Sequence, residues 1–306
     1  MSTSRTLDRQ VGAAPRRGHL LSLTVWAMVL TASALPTIVV TEILGAAPGW
    51  LPVGQLMTLL ALHATVRRST ALQPLAGVVR WLVAMTAGWH VVLGGVTGSA
   101  AWQAWQHTVP WVARAAVVQA LLFVPTLLLV ALGPGRLGRE QLRLVGGSDV
   151  PARPDLYTLG RPVPWRRLGT VWAVLITIGT GTAMSVALGS QVDDLSVLWW
   201  SLPAIAVLAA TNTLNEEFGF RNVPLALLPP LVGRRQALLL TGSLFGLAHY
   251  YGNPPGASGV LLAGFLGVLL AKSMVETGGS RWAWTIHWLQ DVVIFSFLAA
   301  AWSSLG

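Results

Sequence analysis

Asn215-Glu216-Glu217-Phe218-Gly219-Phe220-Arg221 sets two carboxylates and a guanidinium inside a stretch, from Leu198 to Leu228, that otherwise reads as a membrane span. An ionised side chain at the centre of an inserted helix costs about 2.5–3.5 kcal/mol, so three together mark a functional-site candidate. On a helix turning about 100° per residue, Glu217 and Arg221 share a face, with the acid N-terminal to the base as the favourable order requires. Glu217 is therefore expected to be neutralised locally. Glu216 points about 100° away and has no obvious partner in sequence, which leaves it available as a general base. The bland reading of the same residues is a buried ion pair that holds two helices in register.

Composition sets the frame around this stretch. The 306 residues are 54% hydrophobic and 10% charged, with a mean hydropathy of +0.63, the profile of a polytopic membrane protein rather than a soluble domain. The chain has no cysteine, which excludes disulfides, iron–sulfur clusters and thiolate zinc sites. Its net charge of +9 and pI near 11.4 do not signal nucleic acid, because the basic residues gather in short segments between apolar runs and show no basic face interleaved with aromatics.

Working outward, the spacing of apolar runs predicts an all-α membrane protein with about eight or nine transmembrane helices. A polar tail, residues 1–19 with Arg5 and Arg9, is expected in the cytoplasm. Ala32-Ser33-Ala34 resembles a signal-peptidase site and Arg16-Arg17 a twin-arginine signal, but the apolar run continues from Leu20 to about Ala46 and reads as an uncleaved first span. Glu42 lies near its outer end, at the interface. Three further spans, about 50–66, 81–96 and 111–133, complete an N-terminal set over residues 20–133. His63, His90 and His107 stand alone there and are expected to pack or to lie at interfaces. Residues 134–168, rich in Gly, Pro and Arg (Arg136, Arg139, Arg143, Arg153, Arg161, Arg166, Arg167), read as a basic cytoplasmic linker lying against anionic headgroups. A catalytic transmembrane core is expected over 169–306.

That core holds a fifth span at about 170–189, an acidic loop with Asp193-Asp194, a sixth carrying the Glu-Glu-x-x-x-Arg cluster, a seventh ending near Tyr251, an eighth at about 259–275 and a ninth at about 282–303. Loops 67–80, 134–168, 229–236 and 272–281 carry Lys or Arg, whereas 47–49, 99–109, 190–197 and 252–258 carry none, so the positive-inside bias places the N-terminus in the cytoplasm. Tryptophans gather at the proposed boundaries, as an aromatic belt should.

Two more polar constellations lie in the core, Phe245-Gly246-Leu247-Ala248-His249 and His287-Trp288-Leu289-Gln290-Asp291, each with its ends four apart on one helix face. The turn around residues 229–235 makes the sixth and seventh spans an antiparallel hairpin, and counting inward at 1.5 Å per residue puts Glu216 and His249 both roughly 20 Å from its basic end. His287 and Asp291 come to roughly 10 and 16 Å from the turn near Gly279 by the same rule. Three spans can thus bring these groups to one layer. Pro224 is expected to kink the sixth helix beside them and open a cavity. A carboxylate and a histidine converging on buried water can make a nucleophile, and a second histidine can donate to an oxyanion. Glu216, His249 and His287 could alternatively hold zinc, although no His-Glu-x-x-His pair occurs on one helix.

The three motifs, Glu216-Glu217-x-x-Phe220-Arg221, then Leu244-Phe245-Gly246-Leu247-Ala248-His249, then Gly279-Ser280 ahead of His287-x-x-x-Asp291, resemble in order and spacing the CPBP family of intramembrane proteases, which includes the CAAX prenyl endopeptidases and bacteriocin-processing enzymes. The resemblance covers about residues 170–302. It implies an intramembrane endopeptidase acting on membrane-associated or lipid-anchored peptides or proteins, with Glu216 and His249 activating water and no cofactor required. Glu217, Arg221 and Phe245 would support the site, while His287 and position 291 would stabilise the oxyanion. Asp291 stands where better-understood members have asparagine; a carboxylate donates only when protonated, so its expected role shifts to orienting His287. Older readings of the family as metalloproteases keep zinc on the page. Two other functions fit the same side chains: a non-catalytic scaffold or immunity-type protein that binds a partner in the cavity, and a proton-coupled transporter, disfavoured by the crowding of ionisable residues into one half. The expected partners are a peptide or membrane-protein substrate and the bilayer; oligomeric state is left open.

Overall fold

A computed structural model of the chain describes residues 16–133, 143–192 and 195–303. Arg5, Arg9, Arg136, Arg139 and Asp193-Asp194 lie outside the described residues. The expected tail is helical from Arg16, where α1 (Arg16–Ala32) begins. It meets α2 (Leu35–Leu44) at a bend of 57°. Ser33 makes the break: its hydroxyl donates to the Leu30 carbonyl at 2.6 Å and accepts from the Leu35 N–H at 3.1 Å. Pro36 sits in the first turn of α2, where its missing N–H leaves nothing unsatisfied.

Next come α3 (Leu51–Arg68), α4 (Ala76–Met85, prolonged by a π-helical stretch Thr86–Leu93), α5 (Trp111–Leu132), α6 (Trp165–Leu188), α7 (Val197–Glu217), α8 (Arg234–Ala248), α9 (Ala257–Thr277) and α10 (Arg281–Ser303). The chain is thus an all-α polytopic membrane protein. Among the described residues, six helical stretches are long and apolar enough to cross a membrane, or seven if the bent α1–α2 pair is one span. The expected eight or nine would need α3 and α8 as well. Gln55, His63 and Arg67-Arg68 dilute the first, and the second has 15 residues, about 22 Å of helix against the roughly 30 Å of a bilayer core.

Glycine lets α8 and α9 approach closely. A Cβ on Gly246 of α8 would lie 2.4 Å from the Val260 carbonyl oxygen of α9, and one on Gly242 would lie 2.4 Å from the Val268 side chain. Small residues are what let membrane helices approach to backbone contact. Gly246→Val is expected to force α8 and α9 apart and cost about 1–3 kcal/mol, read as a lower melting temperature in detergent. Gly95→Ala, with open space around it, should melt as the wild type does.

After Glu217, α7 does not simply kink at Pro224. Residues Phe218–Asn222 form a π turn, and the Val223 N–H donates to the Phe218 carbonyl five residues back. In that wider register the carbonyl left without a donor by Pro224 is that of Gly219. The indole N–H of Trp81, fully buried on α4, donates to it at 2.9 Å. A π turn moves the helix outward without the steric collision expected of an α-helical proline, and its orphan acceptor is satisfied from the N-terminal half. Trp81→Phe strands a buried carbonyl and is expected to cost about 1–3 kcal/mol in thermal unfolding.

The described part of the basic segment is hydrogen-bonded onto the core, with Arg153, Arg161, Arg166 and Arg167 exposed. Pro151–Ala152 pairs antiparallel with Val163–Pro164, and the Gly147 N–H and Ser280 N–H bond across to the Thr277 and Arg143 carbonyls. Lys272, buried in the last turns of α9, explains the docking: its ammonium lies 2.8 Å from both Asp155 and Glu276 and donates to the Arg153 carbonyl at 2.9 Å. Glu276 also accepts from the Trp165 indole at 3.0 Å. A cation placed so deep in an apolar helix needs its counter-charges brought to it. The segment Asp155–Thr158 supplies one of them.

Candidate active site

The π turn of α7 carries the basic member of the first cluster. Arg221, fully buried, reaches back one turn to Glu217 with Nη1–Oε1 at 2.6 Å, the pairing expected from their spacing. The same carboxylate oxygen accepts from His287 Nδ1 of α10 at 2.7 Å. A carboxylate facing Arg221 only accepts, so Nδ1 bears the hydrogen and Nε2 is the nitrogen turned toward the remaining acids. Glu216 Oε2 lies 3.5 Å from that Nε2 and Asp291 Oδ2 lies 3.6 Å from it. Glu217, then, rather than Asp291, orients the imidazole.

Asp291 has its own supports. Its Oδ2 accepts from Asn212 Nδ2 at 3.1 Å and from Thr213 Oγ1 at 3.0 Å. Asn212 also donates to Glu216 Oε1 at 3.2 Å, and its own carbonyl accepts from Gln119 of α5 at 3.1 Å. Glu216 Oε1 is thus fixed, while Oε2, buried, accepts no hydrogen bond from the protein. A buried polar atom left without a partner is costly and calls for a functional account. Asn212, Thr213 and Gln119 were missed in the sequence, although Asn212 stands one helical turn before Glu216 and therefore on its face.

His249 caps the C-terminal end of α8, and its Nδ1 lies 2.8 Å from the Phe245 carbonyl. That carbonyl only accepts, so the neutral ring keeps its lone pair on Nε2. No hydrogen bond or ion pair joins His249 to Glu216; the two are linked through shared neighbours. Phe245 is the hub, with its ring 4.3 Å from His249, 5.7 Å from His287 and 3.9 Å from the Arg221 guanidinium. Beside it lies a cavity of about 310 Å³ between α6, α8, α9 and α10, walled by apolar residues such as Met184, Leu262 and Ile294, with His249, His287, Gln290 and Asp291 as its polar face. His63, His90 and His107 take no part: His107, for one, stacks on Trp302 at 5.7 Å. Glu42 accepts from the Tyr250 hydroxyl at 2.8 Å, next to His249 in sequence but outside the cluster.

Zinc through Glu216, His249 and His287 finds no support in this geometry. Among the described residues, no three His, Asp or Glu side chains are arranged to hold a metal ion.

Residues 198–293, about a third of the chain, match the family model described as Type II CAAX prenyl endopeptidase Rce1-like. That span contains every residue of the three motifs. No curated protein and no solved structure matches the chain.

Proposed function

Because the chain belongs, through residues 198–293, to the CPBP/CAAX protease family, we propose that it is an intramembrane endopeptidase in which Glu216 and His249 activate water against a peptide carbonyl. The observation that carries this reading is the free, buried Oε2 of Glu216 set 3.5 Å from a histidine that faces an apolar cavity. Glu216 takes a proton from water, aided by the lone pair on His249 Nε2, and the oxygen bonds to the scissile carbon. The resulting oxyanion is stabilised by His287, which in its doubly protonated form donates from Nε2 while Nδ1–H stays on Glu217. Glu216 then returns the proton to the departing amine as the C–N bond breaks. Asp291, held by Asn212 and Thr213, balances charge at His287, whose ring Glu217 orients.

The cavity suits an apolar side chain beside the scissile bond. Nothing in its lining selects a prenyl group, so the substrate class is put as an extended peptide segment of a membrane-associated protein. The test is cleavage of a mixed peptide pool by the purified protein in vesicles, with and without a strong chelator, read as new termini by mass spectrometry. Cleavage is expected to persist in chelator. Loss of cleavage that returns on adding zinc would replace the glutamate mechanism with a metal one. No cleavage under any condition, with the protein folded, would leave the binding role as the better account.

A further inference from the structure

The cavity has a side. It is bounded by the distal half of α6 (Leu175 to Met184), by the end of α8 at His249, by the first half of α9 (Gly259 to Leu266) and by Asn253 and Pro254 of the connecting loop. Each of these lies toward the loops 45–50, 98–110, 189–196 and 249–256, none of which contains Lys or Arg. Arg114, one turn into α5, is the cation nearest that face, and it is stacked over Trp302 at 4.5 Å. The opposite face carries the basic connections, 67–80, 143–167, 234–235 and 272–281.

From that basic face the groove between α6 and α9 is plugged. The Asp155–Thr158 turn enters it, and Tyr157 donates from its hydroxyl to the Phe265 carbonyl at 2.9 Å. Its own carbonyl accepts from the Trp172 indole at 3.1 Å, and its ring meets those of Phe265 and Trp172 at 4.7 and 5.9 Å. Phe265 is at once a partner of the plug and a wall of the cavity. Beneath the aromatics, the Lys272 ammonium bridges Asp155 and Glu276. Three packed rings, those of Tyr157, Phe265 and Trp172, thus line this side of the cavity, with the buried Lys272–Glu276 pair beside them and Asp155 at the surface.

We propose that the candidate site is reached from the loop face that lacks basic residues, the non-cytoplasmic face by the positive-inside bias, and that its ligands are extended peptide segments presented there with an apolar side chain leading. The peptide identity rests on the endopeptidase reading; the side of access does not. Substrate therefore arrives either from the non-cytoplasmic aqueous phase past Asn253 or from the adjoining leaflet between α6 and α9, and the Tyr157 plug seals the cytoplasm from the site.

The absence of cysteine makes the test clean, since one introduced thiol is the only one in the chain. Asn253→Cys reports the mouth, Thr180→Cys the cavity wall and Arg161→Cys the basic face, with a charged, membrane-impermeant maleimide as probe. In intact cells the first two are expected to label and Arg161→Cys to label only after the membrane is opened. Labelling of Arg161→Cys in intact cells, with Asn253→Cys protected, would overturn the orientation. Labelling of Asn253→Cys from outside but of Thr180→Cys only from the basic side would overturn the plug. Asn253 and Arg161 are exposed, so their variants should fold. The labelling pattern reads access whether or not the protein cleaves anything, so a failure of the endopeptidase reading leaves this result standing.

Discussion

Glu216→Gln is expected to lower turnover by roughly 10²- to 10⁴-fold, the range spanned by loss of a positioned general base, with KM little changed. The substitution keeps the shape of the side chain, and its Oε1 can still accept from Asn212 as the carboxylate does at 3.2 Å. It removes only the charge and the basic oxygen. Because a buried charge is being deleted from a cluster of three acids around His287, the variant should be at least as stable as the wild type. Purified protein assayed on a cleavable peptide, with melting measured alongside, checks both halves. Glu216→Gln that cleaves at the wild-type rate removes Glu216 from the chemistry.

The second large effect is on stability. Arg221 is fully exposed to the protein interior and not at all to solvent, and its single ion-pair partner, Glu217, is 3% exposed. Arg221→Met fills similar volume over the Phe245 ring but leaves Glu217 buried with one hydrogen-bond partner, His287, in place of two. Breaking a buried pair from one side costs about 3–5 kcal/mol, because the stranded charge has no water to return to. The double variant Arg221→Met with Glu217→Gln removes both charges and should recover most of that loss, a coupling that a thermodynamic cycle in detergent measures directly. Activity should not recover with it, since His287 then loses the carboxylate that holds its Nδ1–H. A single variant as stable as the wild type would mean that the pair is not buried as described. Arg221→Lys is no conservative change here, for an ammonium cannot both stack on Phe245 and keep the planar contact to Glu217.

Much of this site could be read from residue order. Charge is so costly in an apolar helix that Glu216, Glu217 and Arg221 declare themselves, and the i, i+4 rule pairs the right acid with the base even though the intervening backbone is a π turn. Counting residues inward from the basic turns put Glu216 and His249 at one depth, with His287 and Asp291 somewhat shallower in the same layer; in the structure His287 lies within 3.6 Å of Glu216 and Asp291, while His249 meets the group only through Phe245. The limits of that reading are tertiary. The π turn depends on Trp81, more than a hundred residues away, to satisfy Gly219. The orientation of His287 depends on which acid meets Nδ1, and periodicity within α10 favoured Asp291 over the Glu217 that packing supplies. The docking of the basic segment after residue 142 onto the bundle was not legible, because its arginines dominate the pattern and Lys272 counts as part of the basic 272–281 loop. The spacing of four between Lys272 and Glu276 in fact marks a buried pair that draws Asp155 onto the bundle.

The Tyr157 turn and the candidate site are tied through one helix. Phe265 and Lys272 both lie on α9, whose backbone contact with α8 at Gly246 sets where Phe245 and His249 stand. Changes that loosen α9 are thus expected to reach the site without touching an ionisable residue in it.

The measurement that bears most directly on the endopeptidase reading is a comparison of newly generated peptide termini in membranes of cells carrying the wild-type protein or Glu216→Gln at equal expression. Termini present only with the wild type are the predicted result, and they would identify the substrate as well as the activity. The same set of termini in both, while a cellular phenotype still requires the protein, would contradict the catalytic role of Glu216.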